Sequence, residues 1–295
     1  MIIAEIIGGL GNQLFEYANA KALSIKLNKD LYLDLSFFDQ WKDKDVYRLD
    51  KFNTQINLAS EFDINRVKRI DKSPAIYRRI SRKFGFSPFQ NGKFHFDEEW
   101  FSNNSVERLI SCNDIYISGY FAGEQYFKDI ENIIRGEFTL KEPINFKNKI
   151  IEEKIVNSNS VSLHIRRGDY VDNKYFAQIP LEYYYNSIEL IENKFPNSSY
   201  YVFSDNLNWV KNNFKTNVNL HFVDANDSST DFMELYLMSK CNHNIIANST
   251  FSWWGAWLNK NPDKIVIAPK VWFGDKTAQE NYKNGQHVPN NWIKM

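Results

Sequence analysis

Apolar residues along the chain gather in short runs, each closed by a polar or glycine-bearing turn. Ile2–Ile7 is an aliphatic run holding one acid, and it leads straight into Gly8-Gly9-Leu10-Gly11-Asn12-Gln13. Beyond that turn Leu14, Ala18, Ala22 and Ile25 recur at helical spacing, and Leu31–Leu35 reads as the next strand. The first unit is therefore strand, loop, helix, strand. From there to about residue 110 the chain is charged, aromatic and irregular, with weak signals for helices and loops. Ile115–Tyr120 reads as another strand end, with Phe121–Ile134 helical after it. A polar, proline-marked segment around Pro143 predicts a domain boundary, giving domains 1–143 and 144–295, with the last 20 or so residues able to pack back on the first.

The second half repeats the rhythm more clearly. Val161–Ile165 is a strand that ends in Arg166-Arg167-Gly168-Asp169, and Leu181–Phe195 is helical after Pro180. Tyr200–Phe203 is a strand that ends in Ser204-Asp205-Asn206, and Asp231–Met238 is a short helix. Asn244–Ala247 is a strand whose loop, Asn248–Ser252, opens a Trp-rich helix at Trp253–Leu258, and Ile265–Ala268 closes as a strand. Strands alternating with helices predict an α/β protein with parallel sheets covered on both faces. In such sheets ligands bind beyond the carboxyl ends of the strands, where the conspicuous polar motifs of this chain lie.

Composition narrows the chemistry. Over 295 residues, Lys+Arg 36 against Asp+Glu 36 leaves no net charge, so non-specific nucleic-acid binding is not the main business and an anion must be held by local donors. Cys112 and Cys241 stand far apart, with neither metal spacing nor a disulfide framework, which points to a reducing compartment. No apolar stretch nears the ~18–20 residues of a membrane span. The first residues also lack the basic region and cleavage site of a signal peptide, so the expectation is a soluble, non-exported protein.

Three motifs carry chemistry. Glycines at a strand-to-helix turn let backbone N–H groups approach an anion, and the helix N-terminus adds partial positive charge, although a plain tight turn reads the same way. The third glycine of the dinucleotide fingerprint is replaced here by Leu14, and no Gly-Lys-Ser/Thr occurs in the chain. In His164-Ile165-Arg166-Arg167-Gly168-Asp169, strand alternation puts His164 and Arg166 on one face and Arg167 on the other. Guanidinium forks match phosphate oxygens, whereas the bland alternative is an ion pair such as Arg167 with Asp169. Asn248-Ser249-Thr250-Phe251-Ser252 offers hydroxyls and helix N–H groups, for an anion or for ordinary capping. Asp205 could accept from a base's N–H pair or sit in an exposed turn. Asp43-Lys44-Asp45 matches a metal-binding Asp-x-Asp but follows no apolar strand, and the histidines show no ligand spacing, so no metal site is expected.

In this order the three motifs, with Gly119–Tyr126, resemble the α-1,2-fucosyltransferases of glycosyltransferase family 11 in their bacterial form without a membrane anchor, over nearly the whole chain. The resemblance implies a GT-B-like fold, two Rossmann-like domains facing a central cleft, with the first acceptor-side and the second binding the GDP-sugar. It implies GDP-L-fucose as donor, a galactosyl glycan as acceptor and no metal or other cofactor. By position, His164 and Asp205 would contact guanine, Arg166 the β-phosphate, and Ser249, Thr250 and Phe251 further phosphate oxygens. Gly9, Gly11 and Asn12 would approach the fucose. Asp169, with Arg166, is the catalytic candidate, and the general base is left open between Asp169 and Glu16. The expected enzyme is inverting and cytoplasmic, with peripheral association at the inner face of a bacterial membrane left open, and works in O-antigen or capsule synthesis. The rivals are the same fold with another GDP-6-deoxyhexose and a non-catalytic carbohydrate- or nucleotide-binding protein.

Overall fold

Short aliphatic strands too apolar to face water on either side are covered by helices on both faces, and the chain does this twice. A computed structural model of the chain describes residues 1–40, 46–67, 93–96, 106–170, 173–284 and 287–295, with the backbone alone at 40, 93–96, 107–108, 169 and 281–284. It divides into two compact units, Met1–Thr139 and Leu140–Met295.

The first unit runs β1 (Ile2–Glu5), α1 (Leu10–Leu27), β2 (Leu31–Asp34), α2 (Ser36–Gln40), α3 (Glu61–Val67), β3 (Lys93–Phe96), β4 (Asp114–Ile117) and α4 (Glu131–Glu137). Its strands form one parallel sheet in the order β2-β1-β4-β3. Ile2, Ile3 and Ala4 of β1 are buried, as are Leu10, Leu14, Phe15, Ala18 and Leu23 of α1, so the strand–loop–helix reading of the sequence holds. The predicted helix Phe121–Ile134 does not form as such. Phe121 sits at φ 47°, a left-handed conformation no α-helix continues, and two single 3₁₀ turns precede α4.

The second unit runs α5 (Phe146–Val156), β5 (Ser160–Ile165), α6 (Leu181–Lys194), β6 (Ser199–Ser204), α7 (Leu207–Asn213), β7 (Asn219–Phe222), α8 (Asp231–Lys240), β8 (His243–Ile245), α9 (Thr250–Leu258), β9 (Val266–Ala268), α10 (Lys276–Asn284) and β10 (Ile293–Lys294). All strands are parallel, in the order β10-β9-β8-β5-β6-β7. Every residue of β5 is buried, which is why this strand reads as a near-continuous run and not as an alternation. Asn145 caps α5 by accepting the Asn148 N–H at 3.0 Å. The Trp-rich α9 is a core helix in which Trp253, Trp254 and Trp257 are all buried, and the Trp253 indole donates to the His287 carbonyl at 2.8 Å. That bond and the β10–β9 pairing, Ile293 opposite Ile267, place the chain's last residues at the edge of the second sheet.

Candidate functional site

In the second sheet β5 is followed outward by β6 and β7, and the chain then returns to pair β8 on the other side of β5. Strand order therefore reverses between β5 and β8, the kind of switch point at which open parallel sheets bind ligands beyond the carboxyl ends of their strands. The loop after β5 is Arg166–Asp169, and the loop after β8 carries Asn248–Ser252. Two of the three motifs are thus neighbours by topology.

His164, the penultimate residue of β5, is 4% exposed, and its ring centroid lies 6.0 Å from that of Phe251. Burial, and secondarily the charge of Arg166, pushes its pKa down to about 3, so the imidazole is neutral at any working pH. Its Nδ1 has no hydrogen-bond partner among the described residues. A buried ring nitrogen in that state costs roughly 1–3 kcal/mol, which a ligand's polar edge would recover.

Arg166 follows on the same face. Its Nε lies 3.1 Å from Asp205 Oδ2, and its guanidinium lies 5.4 Å from the Tyr170 ring centroid. Arg167 points the other way, with its guanidinium 3.8 Å over the Trp209 ring. Its backbone N–H donates to Asp205 Oδ1 at 2.8 Å. Both oxygens of Asp205 are therefore directed at the arginine pair, a different task from the base contact that the resemblance implies.

Ser249 is the N-cap residue of α9 and 6% exposed, yet its side chain makes no capping bond, and Thr250 and Phe251 open the helix. Phe251 packs on the cluster around Tyr201 and Phe203. Asn248 is buried, and its Nδ2 donates to the Ala177 carbonyl at 2.9 Å and the Trp272 carbonyl at 2.8 Å, so Asn248 clasps the two loops.

Sequence reasoning missed Glu234. It lies in the first turn of α8 with Asp231, where the helix dipole favours a carboxylate. Burial outweighs that effect and, with repulsion from Asp231 and then Asp205, pushes its pKa up to about 8. The signal that could have found it is weak: two acids three apart at the start of a short helix, read only as a helix start.

The glycine loop belongs to the first unit. Gly8 has φ 68°, Gly9 is the N-cap of α1, Gly11 is in the helix, and the Asn12 N–H donates to the Gly9 carbonyl at 2.9 Å. Gln13 braces the loop, its Nε2 donating to the Gly8 carbonyl at 2.8 Å and the Val46 carbonyl at 2.9 Å. Glu16, the other candidate base, is 2% exposed, and its Oε2 accepts the Ile7 N–H at 2.9 Å. The Asp169 side chain and Asp43-Lys44-Asp45 lie outside the described residues. Among the described residues no group of three or more His, Cys, Asp or Glu is placed to hold a metal, and no helix is long and apolar enough to cross a membrane.

Two solved structures share this build. The chain matches an arginine-to-lysine mutant of Arabidopsis thaliana FUT1 in complex with GDP at TM-score 0.53 and 12% identity, over 90% of this chain and 69% of that one. It matches the α-1,6-fucosyltransferase NodZ of Bradyrhizobium co-crystallised with GDP at TM-score 0.51 and 12% identity, over 86% of this chain and 90% of that one. At such identity the likeness shows the fold, that of GT-B-like glycosyltransferases. The sequence goes further: the model of glycosyl transferase family 11 matches residues 1–295, and the chain belongs to that family. It is 35% identical to the Escherichia coli O-antigen biosynthesis glycosyltransferase WbnK over 90% of this chain and 93% of that one. It is 32% identical to an Escherichia coli alpha-1,2-colitosyltransferase over 100% and 99% of the two chains. The protein is a glycosyltransferase.

Proposed function

We propose that the protein transfers L-fucose from GDP-β-L-fucose to O-2 of a galactose-containing acceptor, with inversion and without a metal, in the assembly of a bacterial surface polysaccharide. The observation that carries this reading is the meeting of a guanidinium, a neutral buried histidine and a helix N-terminus at one switch point. That set suits a nucleoside diphosphate, with Arg166 and the Ser249–Thr250 end of α9 on the phosphates and His164 on the base. Gly9, Gly11 and Asn12 are assigned to the sugar end of the donor on the family resemblance. Phe251 lines the His164 side of the pocket.

In the reaction the bond from fucose C1 to the β-phosphate oxygen breaks, with its electron pair going to GDP. The acceptor O-2 bonds to C1 from the opposite face and loses its proton to a base or to water. Positive charge gathers on the sugar ring, as in glycoside cleavage, while negative charge grows on the departing phosphate. Fixed donors already in place stabilise that charge at the moment it appears. Asp169 and Glu16 are the candidate bases, and one oxygen of Glu16 also accepts the Ile7 N–H.

Because Asp205 serves the arginines, Glu234 is the acid assigned to guanine. A purine edge that donates N–H bonds favours the ionised carboxylate, whereas free Glu234, near pKa 8, is protonated at neutral pH. The proton must leave on binding, so GDP affinity should rise about tenfold between pH 7 and 9 relative to a Glu234→Gln variant. Calorimetry at constant ionic strength on both proteins checks this; parallel pH curves would remove Glu234 from the base site.

The colitosyltransferase relative supports a second reading, in which the sugar carried by GDP is colitose. A panel of GDP-sugars against galactosyl disaccharides, with and without chelator, decides between the two. Transfer of fucose that survives chelation is expected. Turnover that appears only with added divalent cation would overturn the metal-free scheme, and GDP binding without transfer of any sugar would favour the non-catalytic rival.

A further inference from the structure

Resting on the assignment of Arg166 to the leaving phosphate, we propose that Tyr170 is a positioning residue for the transfer step, one that sets the arginine's loop against the helix N-terminus beside it. Its ring faces the Arg166 guanidinium at 5.4 Å. Its hydroxyl donates at 3.2 Å to the carbonyl of Asn248, the residue immediately before Ser249. One side chain therefore touches both halves of the phosphate grip.

The ring is itself held. It stacks on Phe176 with centroids 4.1 Å apart and planes 3° from parallel, and Phe176 stacks on Phe273 at 6.0 Å and 30°. Phe176 and Phe273 form an antiparallel bridge, flanked by Ala177 N–H to the Trp272 carbonyl at 3.1 Å and Gly274 N–H to the Tyr175 carbonyl at 2.8 Å. A Cβ at Gly274 would lie 2.5 Å from the Lys174 carbonyl oxygen, so the two loops are pressed together. Asn248 Nδ2 ties into the same pair of loops through the carbonyls of Ala177 and Trp272. Arginine has many rotamers, and a fixed aromatic ring at 5.4 Å together with the Asp205 carboxylate at 3.1 Å narrows the orientations its fork can take toward the phosphate.

The test is steady-state GDP release from GDP-fucose in the presence of acceptor, for Tyr170→Phe, Tyr170→Leu and Arg166→Lys and for the double variants, with melting temperatures alongside. Tyr170→Phe should lower kcat severalfold and Tyr170→Leu about tenfold, with the donor KM and the melting temperature nearly unchanged. In the Arg166→Lys background, replacing Tyr170 should add less than about twofold, because the group it orients has gone. Should Tyr170→Leu fail to fold, the same comparison is made with Tyr170→Phe. Unchanged kcat in the single variants, losses that multiply in the double variants, or losses that track melting temperature would each overturn the proposal while leaving the function intact. A wild-type enzyme silent with every GDP-sugar, or an Arg166→Lys variant with full turnover, would overturn the assignment of Arg166 and this proposal with it.

Discussion

Arg166→Ala is expected to lower kcat by about 10²–10³-fold in a protein that still folds, the loss seen when one preorganised donor is taken from a developing oxyanion, about 2.7–4 kcal/mol. The donor KM should move less. Ground-state GDP-fucose already spreads its charge over two phosphates, whereas in the proposed scheme Arg166 faces the charge that appears only as the C1–O bond breaks. Stability should hardly change. Arg166 and Asp205 are both partly exposed (31% and 21%), and ion pairs of that kind contribute little. Asp205 also keeps its bond from the Arg167 N–H in the variant. Arg166→Lys should recover part of the loss, since it restores the charge without the planar fork. Transfer assays with initial-rate kinetics, paired with thermal melts, separate these terms. A kcat within twofold of wild type in folded Arg166→Ala would mean that the phosphate sits elsewhere.

What the sequence disclosed about this site follows from which physical signals are local. The opposed faces of Arg166 and Arg167 were legible because strand alternation has a period of two, and the structure puts one beside Asp205 Oδ2 and the other over Trp209. The helix after the Asn248 loop was legible because hydroxyl residues before an apolar run mark a helix start, although it begins at Thr250, three residues ahead of the expected Trp253. The task of Asp205 was not legible. Its carboxylate meets Arg166 and Arg167 only because β6 pairs in register with β5, His164 opposite Phe203 and Ile165 opposite Ser204. Glu234 was hidden for a similar reason: its raised pKa comes from burial and from Asp231 and Asp205, and a lone Glu in a short helix announces neither. In the first unit the sequence carried β1 and α1 plainly but misread Phe121–Ile134, where apolar spacing suggested a helix and the left-handed Phe121 ruled one out.

Gly168→Ala should cost about 10²-fold in kcat, the scale of an ångström-sized displacement of a catalytic group, although the glycine is exposed and contacts no substrate in the scheme above. A Cβ at this position would lie 2.3 Å from Asp205 Oδ2, closer than real atoms approach, and 3.1 Å from its Cγ, a tight contact. The carboxylate has somewhere to go, since it is partly exposed and can rotate outward, so the fold survives and the melting temperature should fall by only a few degrees. The rotation, however, removes Oδ2 from Arg166 Nε and Oδ1 from the Arg167 N–H. The guanidinium then loses the carboxylate charge beside its Nε. Asp205→Ala should reproduce most of the loss. Combining it with Gly168→Ala should add nothing, because the nearest atom left on residue 205 would be its Cβ at 3.8 Å, an ordinary contact. Asp205→Asn separates shape from charge: its amide oxygen can still accept the Arg167 N–H, while the negative charge beside Arg166 Nε is gone. If Asp205→Asn kept wild-type turnover while Gly168→Ala lost it, the glycine would be acting through something other than the Asp205–Arg166 contact.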